Sequence, residues 1–322
     1  MSERRASRVW AGRVVATAAA IVATACGGAD GEGGRGPAAS AATSEPRFDG
    51  AAAFELVVQQ VAFGPRVPGS AGHRAMAEWL EEYLSARADT LIVQRFSHVA
   101  LDGRTLPLVN FLARFRPSAS PPVLLLAHWD TRPVSDQALE PEDRGKPVPG
   151  ANDGASGTAV LLQLADMLHR VPPPRGVDVL LVDGEDYGDF TPGDDVFLGS
   201  RYFASHLPQD YAAEYGVLLD MVGDRDLDIY VEGNSNQLAP EVVDRVWGVA
   251  QRLGFSDVFH RRVRHTINDD HIPLNEAGIP TINVIDFDFP YWHTPEDTPD
   301  KVSASSLGVV GAVVTRLVYR GR

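Results

Sequence analysis

Val123-Leu124-Leu125-Leu126-Ala127, running directly into His128-Trp129-Asp130, is the stretch that decides the fold. Five apolar residues without polar alternation suit a strand buried on both faces. Residues 177–182 form a second such run, and residues 217–219 begin a third. Residues 229–231 and 281–285 read as further strands, while 90–98 and 107–115 alternate like strands around a turn at Gly103. Between them lie helical segments at 51–62, 72–87, 156–168, 240–253 and 304–319. In the second helix Met76, Trp79, Leu80 and Tyr83 fall on one face. Short apolar strands alternating with helices predict an α/β fold around a mainly parallel central sheet. Such folds bind ligands at the carboxyl ends of their strands.

The chain has 322 residues and is 44% hydrophobic, enough for one well-packed domain of about 270 residues behind a separate front end. Net charge is −14. The segment before Cys26 contains Arg4, Arg5, Arg8 and Arg13 against a single acid, Glu3, so the remainder carries 25 basic and 42 acidic residues. That balance argues against nucleic acid as a partner, because phosphate binding needs clustered Lys and Arg. Cys26 is the one cysteine, so the chain has no internal disulfide.

Residues 1–26 read as a signal sequence. A basic start precedes the apolar run 14–25, which is short for a membrane span. The run ends in Ala23-Thr24-Ala25-Cys26, which resembles a bacterial lipoprotein signal with Cys26 as the lipidated residue. An exported protein, lipid-anchored and periplasmic or cell-surface, is the expectation, with the anchor its only membrane contact. Residues 27–46 are rich in Gly, Ala and Ser and read as a flexible tether to a catalytic domain spanning 47–322.

Five segments carry residues of metal-binding type, and four of them follow an apolar run. They are His128-Trp129-Asp130, Asn152-Asp153-Gly154, Asp183-Gly184-Glu185-Asp186, Asp220-Met221-Val222-Gly223-Asp224 and Tyr291-Trp292-His293-Thr294. Mixed imidazole and carboxylate donors suit zinc. Taken singly, each has an ordinary explanation: Asp153 as a helix cap, or Asp130 as a helix cap or the partner of Arg132 in a surface ion pair, against a reading of Asp130 as the residue that orients a ligand or its loop. As an ordered set, they predict convergence on one sheet edge.

The order AHWD, GANDGASG, DGEDYG, LLDMVGD, DDHIP and YWHTPED resembles the zinc aminopeptidase and glutaminyl cyclase superfamily over residues 50–320, with its zinc exopeptidase-like fold. The likeness runs especially to bacterial glutaminyl cyclases of the animal type. It implies one zinc, held by Asp153, Asp186 and His293. In the two-zinc aminopeptidases, His128 and Asp220 hold a second ion and Asp153 bridges. It implies Glu185 as the proton carrier, with Asp220 and Asp269 in its network, and Trp292 in the substrate pocket. The substrates implied are peptide or protein N-termini. Asp186 after Glu185, the Asp269-Asp270-His271 segment and the Trp292-His293 pair favour cyclase. Asn283 departs from the animal cyclases, which have His there.

Overall fold

The computed structural model describes residues 45–321 except 120 and 192, and these fall within one compact unit. The signal sequence, Cys26 and most of the tether lie outside the described residues. Of the tether, Glu45 and Pro46 are described, and Glu45 pairs with Arg316 at 2.7 Å and Arg320 at 3.4 Å.

A six-stranded mixed sheet forms the centre, in the order β1-β2-β4-β3-β5-β8. Here β1 is Thr90–Val99, β2 Thr105–Phe115, β3 Val123–His128, β4 Val177–Val182, β5 Tyr215–Asp220 and β8 Thr281–Ile285. β1 and β2 form an antiparallel hairpin, and β2 runs antiparallel to β4. β4, β3, β5 and β8 are mutually parallel, with His128 in register with Val182. β6 (Ile229–Val231) and β7 (Phe259–Val263) make a separate parallel pair.

Helices cover both faces. α1 (Gly50–Ala62), α2 (Ala71–Ser85), α3 (Ala155–Arg170), α6 (Pro240–Arg252) and α8 (Ala304–Arg320) enclose the larger core with Leu125, Ala127, Val179 and Leu219. α4 (Leu198–Ser205) and α7 (His271–Glu276) cover the opposite face, where Phe203 and Leu274 meet Leu124, Leu126 and Leu218. Successive side chains of β3 thus enter different cores, which is why its sequence shows no polar alternation. α5 (Gly233–Leu238) follows β6.

Side-chain caps set several helix starts: Asp49 on α1, Ser70 on α2 and Ser303 on α8. α3 starts differently. Its cap is Gly154, at φ 86°, which no β-carbon tolerates well. A Cβ on Gly157 would stand 2.0 Å from Leu219 O. α3 therefore lies hard against the sheet and carries Asn152 and Asp153 to the carboxyl ends of β3 and β5.

Candidate metal centre

His128 ends β3 and Asp220 ends β5; Glu185 and Asp186 follow β4 by three and four residues. The parallel strands thus deliver these side chains to one edge, and loops add Asp153 and His293. His128 Nε2 lies 3.1 Å from Asp153 Oδ1 and 3.2 Å from Asp220 Oδ1. His293 Nε2 lies 3.2 Å from Asp186 Oδ1 and 3.7 Å from Asp153 Oδ2. Two buried triads result, His128–Asp153–Asp220 and Asp153–Asp186–His293, the donor atoms of each within 4.8 Å of one another. Asp153 belongs to both and turns one oxygen to each.

The donor set fits a zinc ion. Asp186 Oδ2 is buried without a hydrogen-bond partner. Each imidazole turns Nε2 inward and its other nitrogen towards a carboxylate: His293 Nδ1 is 3.1 Å from Asp136 and His128 Nδ1 is 3.6 Å from Asp130. Metal-ligating histidines characteristically have such outer carboxylates. The local field also favours a cation. Burial would lower the His293 pKa, yet Asp186, Asp136 and Asp153 raise it to about 9. His128 is likewise raised against burial by Asp130, Asp153 and Asp220.

The acids behave differently according to their neighbours. Burial, then Asp186, Asp269 and Asp270, push Glu185 well above the usual carboxyl range, against the opposing pull of His128. Asp269 is raised by burial and by Asp220 and Asp270. Its Oδ2 accepts from Asn283 Nδ2 at 2.6 Å, so Asn283 on β8 does anchor this carboxyl. Asp270, raised to about 7 mainly by burial, accepts from Ser200 Oγ at 2.5 Å.

His128, Asp153, Glu185, Asp186, Asp220, Asp269, Trp292 and His293 converge, whereas Asp183 turns to His73 and Asp224 lies outside both triads. A cavity of about 220 Å³ is lined by Asp153, Glu185, Asp220, Asp269, Trp292 and His293, with Phe190, Ile267 and Phe287 on its apolar walls. Trp292 stacks on His293, ring centroids 3.8 Å apart. His293 itself sits at φ 55°, a left-handed conformation unfavourable for a side chain with a β-carbon.

Two ordinary readings are corrected. Asp153 does not cap α3. Asp130 does not pair with Arg132; it is fully buried and accepts from Glu185 N at 3.1 Å and Asp186 N at 3.2 Å. Arg132 instead forks onto Asp136 and also reaches Asp186 Oδ1 at 3.3 Å. Four residues escaped the sequence reading: Arg66, Asp136, Asp270 and Asp297. Asp270 and Asp297 fall inside segments quoted for other residues; Arg66 and Asp136 carry no local signal at all.

Comparison with known proteins follows the same lines. The chain is 31% identical over 211 residues to aminopeptidase YwaD of Bacillus subtilis, a match covering 61% of this chain and 40% of that longer one. Its fold is similar to a Zn-dependent exopeptidase from Parabacteroides distasonis, with a TM-score of 0.83 and 35% identity over 86% of this chain and 100% of that one. It is equally similar to Bacteroides thetaiotaomicron glutaminyl cyclase bound to N-acetylhistamine, at a TM-score of 0.82 and 36% identity, covering 86% of this chain and 99% of the other. The model of peptidase family M28 matches residues 110–318, and with the ligand geometry in place this chain belongs to that family.

Proposed function

We propose that this enzyme is a zinc-dependent glutaminyl-peptide cyclotransferase, converting N-terminal glutamine of peptides and proteins to pyroglutamate with release of ammonia. The observation that carries this reading is the grouping of Glu185, Asp220 and Asp269 on the wall of one small aromatic-lined cavity beside the ligand cluster. At about 220 Å³ the cavity lies below the roughly 300 Å³ at which drug-sized pockets begin, so it suits a single residue. The likeness to the Bacteroides thetaiotaomicron cyclase, over nearly its whole chain, supports the same reading.

Asp153, Asp186 and His293 would hold the zinc, which when bound supplies Lewis-acid polarisation of the side-chain amide carbonyl. Trp292 and Phe287 fold the glutamine so that its own α-amine faces the amide carbon, an intramolecular approach that needs only correct orientation. The amine nitrogen bonds to that carbon and the amide C–N bond breaks. Glu185 accepts the amine proton and returns a proton to the departing ammonia, a dual role suited to its raised pKa. Asp269, fixed by Asn283, sustains that raised value.

A second reading, a two-zinc aminopeptidase, is favoured by the compactness of the His128–Asp153–Asp220 triad. Glu185 would then take a proton from water for attack on the first peptide bond. Incubation of purified enzyme with Gln-initiated and Leu-initiated peptides separates the two. Ammonia release with the peptide otherwise intact supports the cyclase. Release of free leucine with no ammonia from the Gln peptide overturns it.

A further inference from the structure

Asp153, the carboxylate common to both triads, stands at the end of Pro149-Gly150-Ala151-Asn152-Asp153, a stretch outside any helix or strand. A buried guanidinium and a buried carboxyl group hold its backbone. Arg66, wholly inaccessible, donates from Nη1 to Pro149 O and from Nη2 to Gly150 O at 2.6 Å, and its Nε reaches Trp129 O at 3.4 Å. Asp297, equally inaccessible, accepts from Asn152 N at 2.7 Å on one oxygen and from Asp153 N at 3.0 Å on the other. Its own carbonyl accepts from Ala151 N at 3.2 Å. The guanidinium thus takes the carbonyls of Pro149 and Gly150, and the carboxyl group takes the N–H groups of Asn152 and Asp153.

The fit around the guanidinium is close. Gly150 sits at φ 68°, and a Cβ there would come 2.9 Å from Arg66 Nη2 and 2.2 Å from Thr131 Cγ2. Burying a guanidinium and a carboxylate is costly unless both are paired and fully hydrogen-bonded. Here all but the Arg66 Nε contact to Trp129 go to one loop, whose conformation these two side chains therefore fix. Neither Arg66 nor Asp297 belongs to a ligand triad.

We propose that Arg66 and Asp297 are a matched pair of positioning residues that fix residues 149–153 and thereby aim the two oxygens of Asp153 at the two triads. Metal affinity then depends on two groups that never touch the metal. This inference rests on Asp153 being a ligand, the reading given above.

The test uses Arg66→Lys, Arg66→Met and Asp297→Asn in the full chain. Zinc affinity is measured by chelator competition, amide hydrogen exchange at Asn152 and Asp153 in metal-free protein, and kcat and KM with and without saturating zinc. Loss of an outer partner of a metal ligand typically costs about 10–100-fold in affinity, and that loss is expected for Arg66→Met and Asp297→Asn. Arg66→Lys, which keeps the charge but not the fork, should lose less. Exchange at the two amides should accelerate while the sheet stays protected, and saturating zinc should restore most of kcat with little change in KM. Folded variants with wild-type zinc affinity and unchanged exchange overturn the proposal. So does an Arg66→Met chain that unfolds while folded Arg66→Lys and Asp297→Asn bind zinc normally, since Arg66 would then serve global stability alone. If the wild-type chain binds no zinc, the metal reading fails, whereas the exchange measurement still reports on the grip.

Discussion

Glu185 illustrates how neighbours rather than identity set a residue's role. Burial and the charges of Asp186, Asp269 and Asp270 raise its pKa, while Asp186 one position on belongs to the Asp153–Asp186–His293 triad. Glu185→Gln should lower turnover by about 10²–10⁴-fold, the usual scale of general acid–base catalysis. Zinc content should stay at the wild-type level, because Glu185 is in neither triad. Ammonia release and metal analysis check both halves, and normal turnover would sink the mechanism. His128→Ala asks a different question. In a one-zinc cyclase it keeps near-stoichiometric zinc and measurable ammonia release. Two zincs falling to one, with loss of Leu-peptide cleavage, would mean the aminopeptidase. His128, Asp220, Glu185 and Asp186 were legible because each ends or closely follows an apolar run. Arg66 was not, since in Pro65-Arg66-Val67-Pro68 it looks like any loop cation and only burial reveals it.

The longer elements were readable for the same kind of reason: 13 to 17 residues of α1, α2, α3, α6 and α8 show a helical face. The eight residues of α4, the six each of α5 and α7, and the five of β7 do not sustain a period. α5 is defined instead by its cap. Glu232 accepts from Asn234 N at 2.7 Å and Ser235 N at 2.6 Å, and also from Ile267 N at 2.9 Å on the cavity wall. Burial alone would raise its pKa, but His271 and these N–H groups bring it down to about 2. A folded-state value below the unfolded 4.5 stabilises the fold fully above pH 4.5 and is lost as pH falls towards 2. Glu232→Gln should therefore cost on the order of 2 kcal/mol near neutral pH after allowance for solvent screening. In urea titrations the gap from wild type should close between pH 4.5 and 2. A gap that persists undiminished at pH 2 would assign the cost to packing rather than charge.

At the scale of the whole molecule, the fold class followed from strand and helix alternation, whereas the sheet order did not. Nothing local says that β3 sits between β4 and β5, yet that placement brings His128 between Asp220 and the Asp186 loop. Among the described residues no helix is long and apolar enough to cross a membrane. We propose that Cys26 is lipidated and anchors the chain. Cys26→Ser should then move the protein from the membrane to the soluble fraction, and wild-type protein found wholly soluble with its N-terminus elsewhere would end that proposal. The spread of the ligands has a consequence for folding. Each triad draws on three separated segments between His128 and His293: His128 and Asp220 end parallel strands joined by long crossovers, and Asp153, Asp186 and His293 stand on loops. Non-local pairings of this kind cost loop-closure entropy before their contacts form, and the local β1–β2 hairpin contributes no donor to either triad. Neither triad is complete until residues as far apart as 128 and 220, or 153 and 293, have come together, so the full donor set exists only in the folded chain.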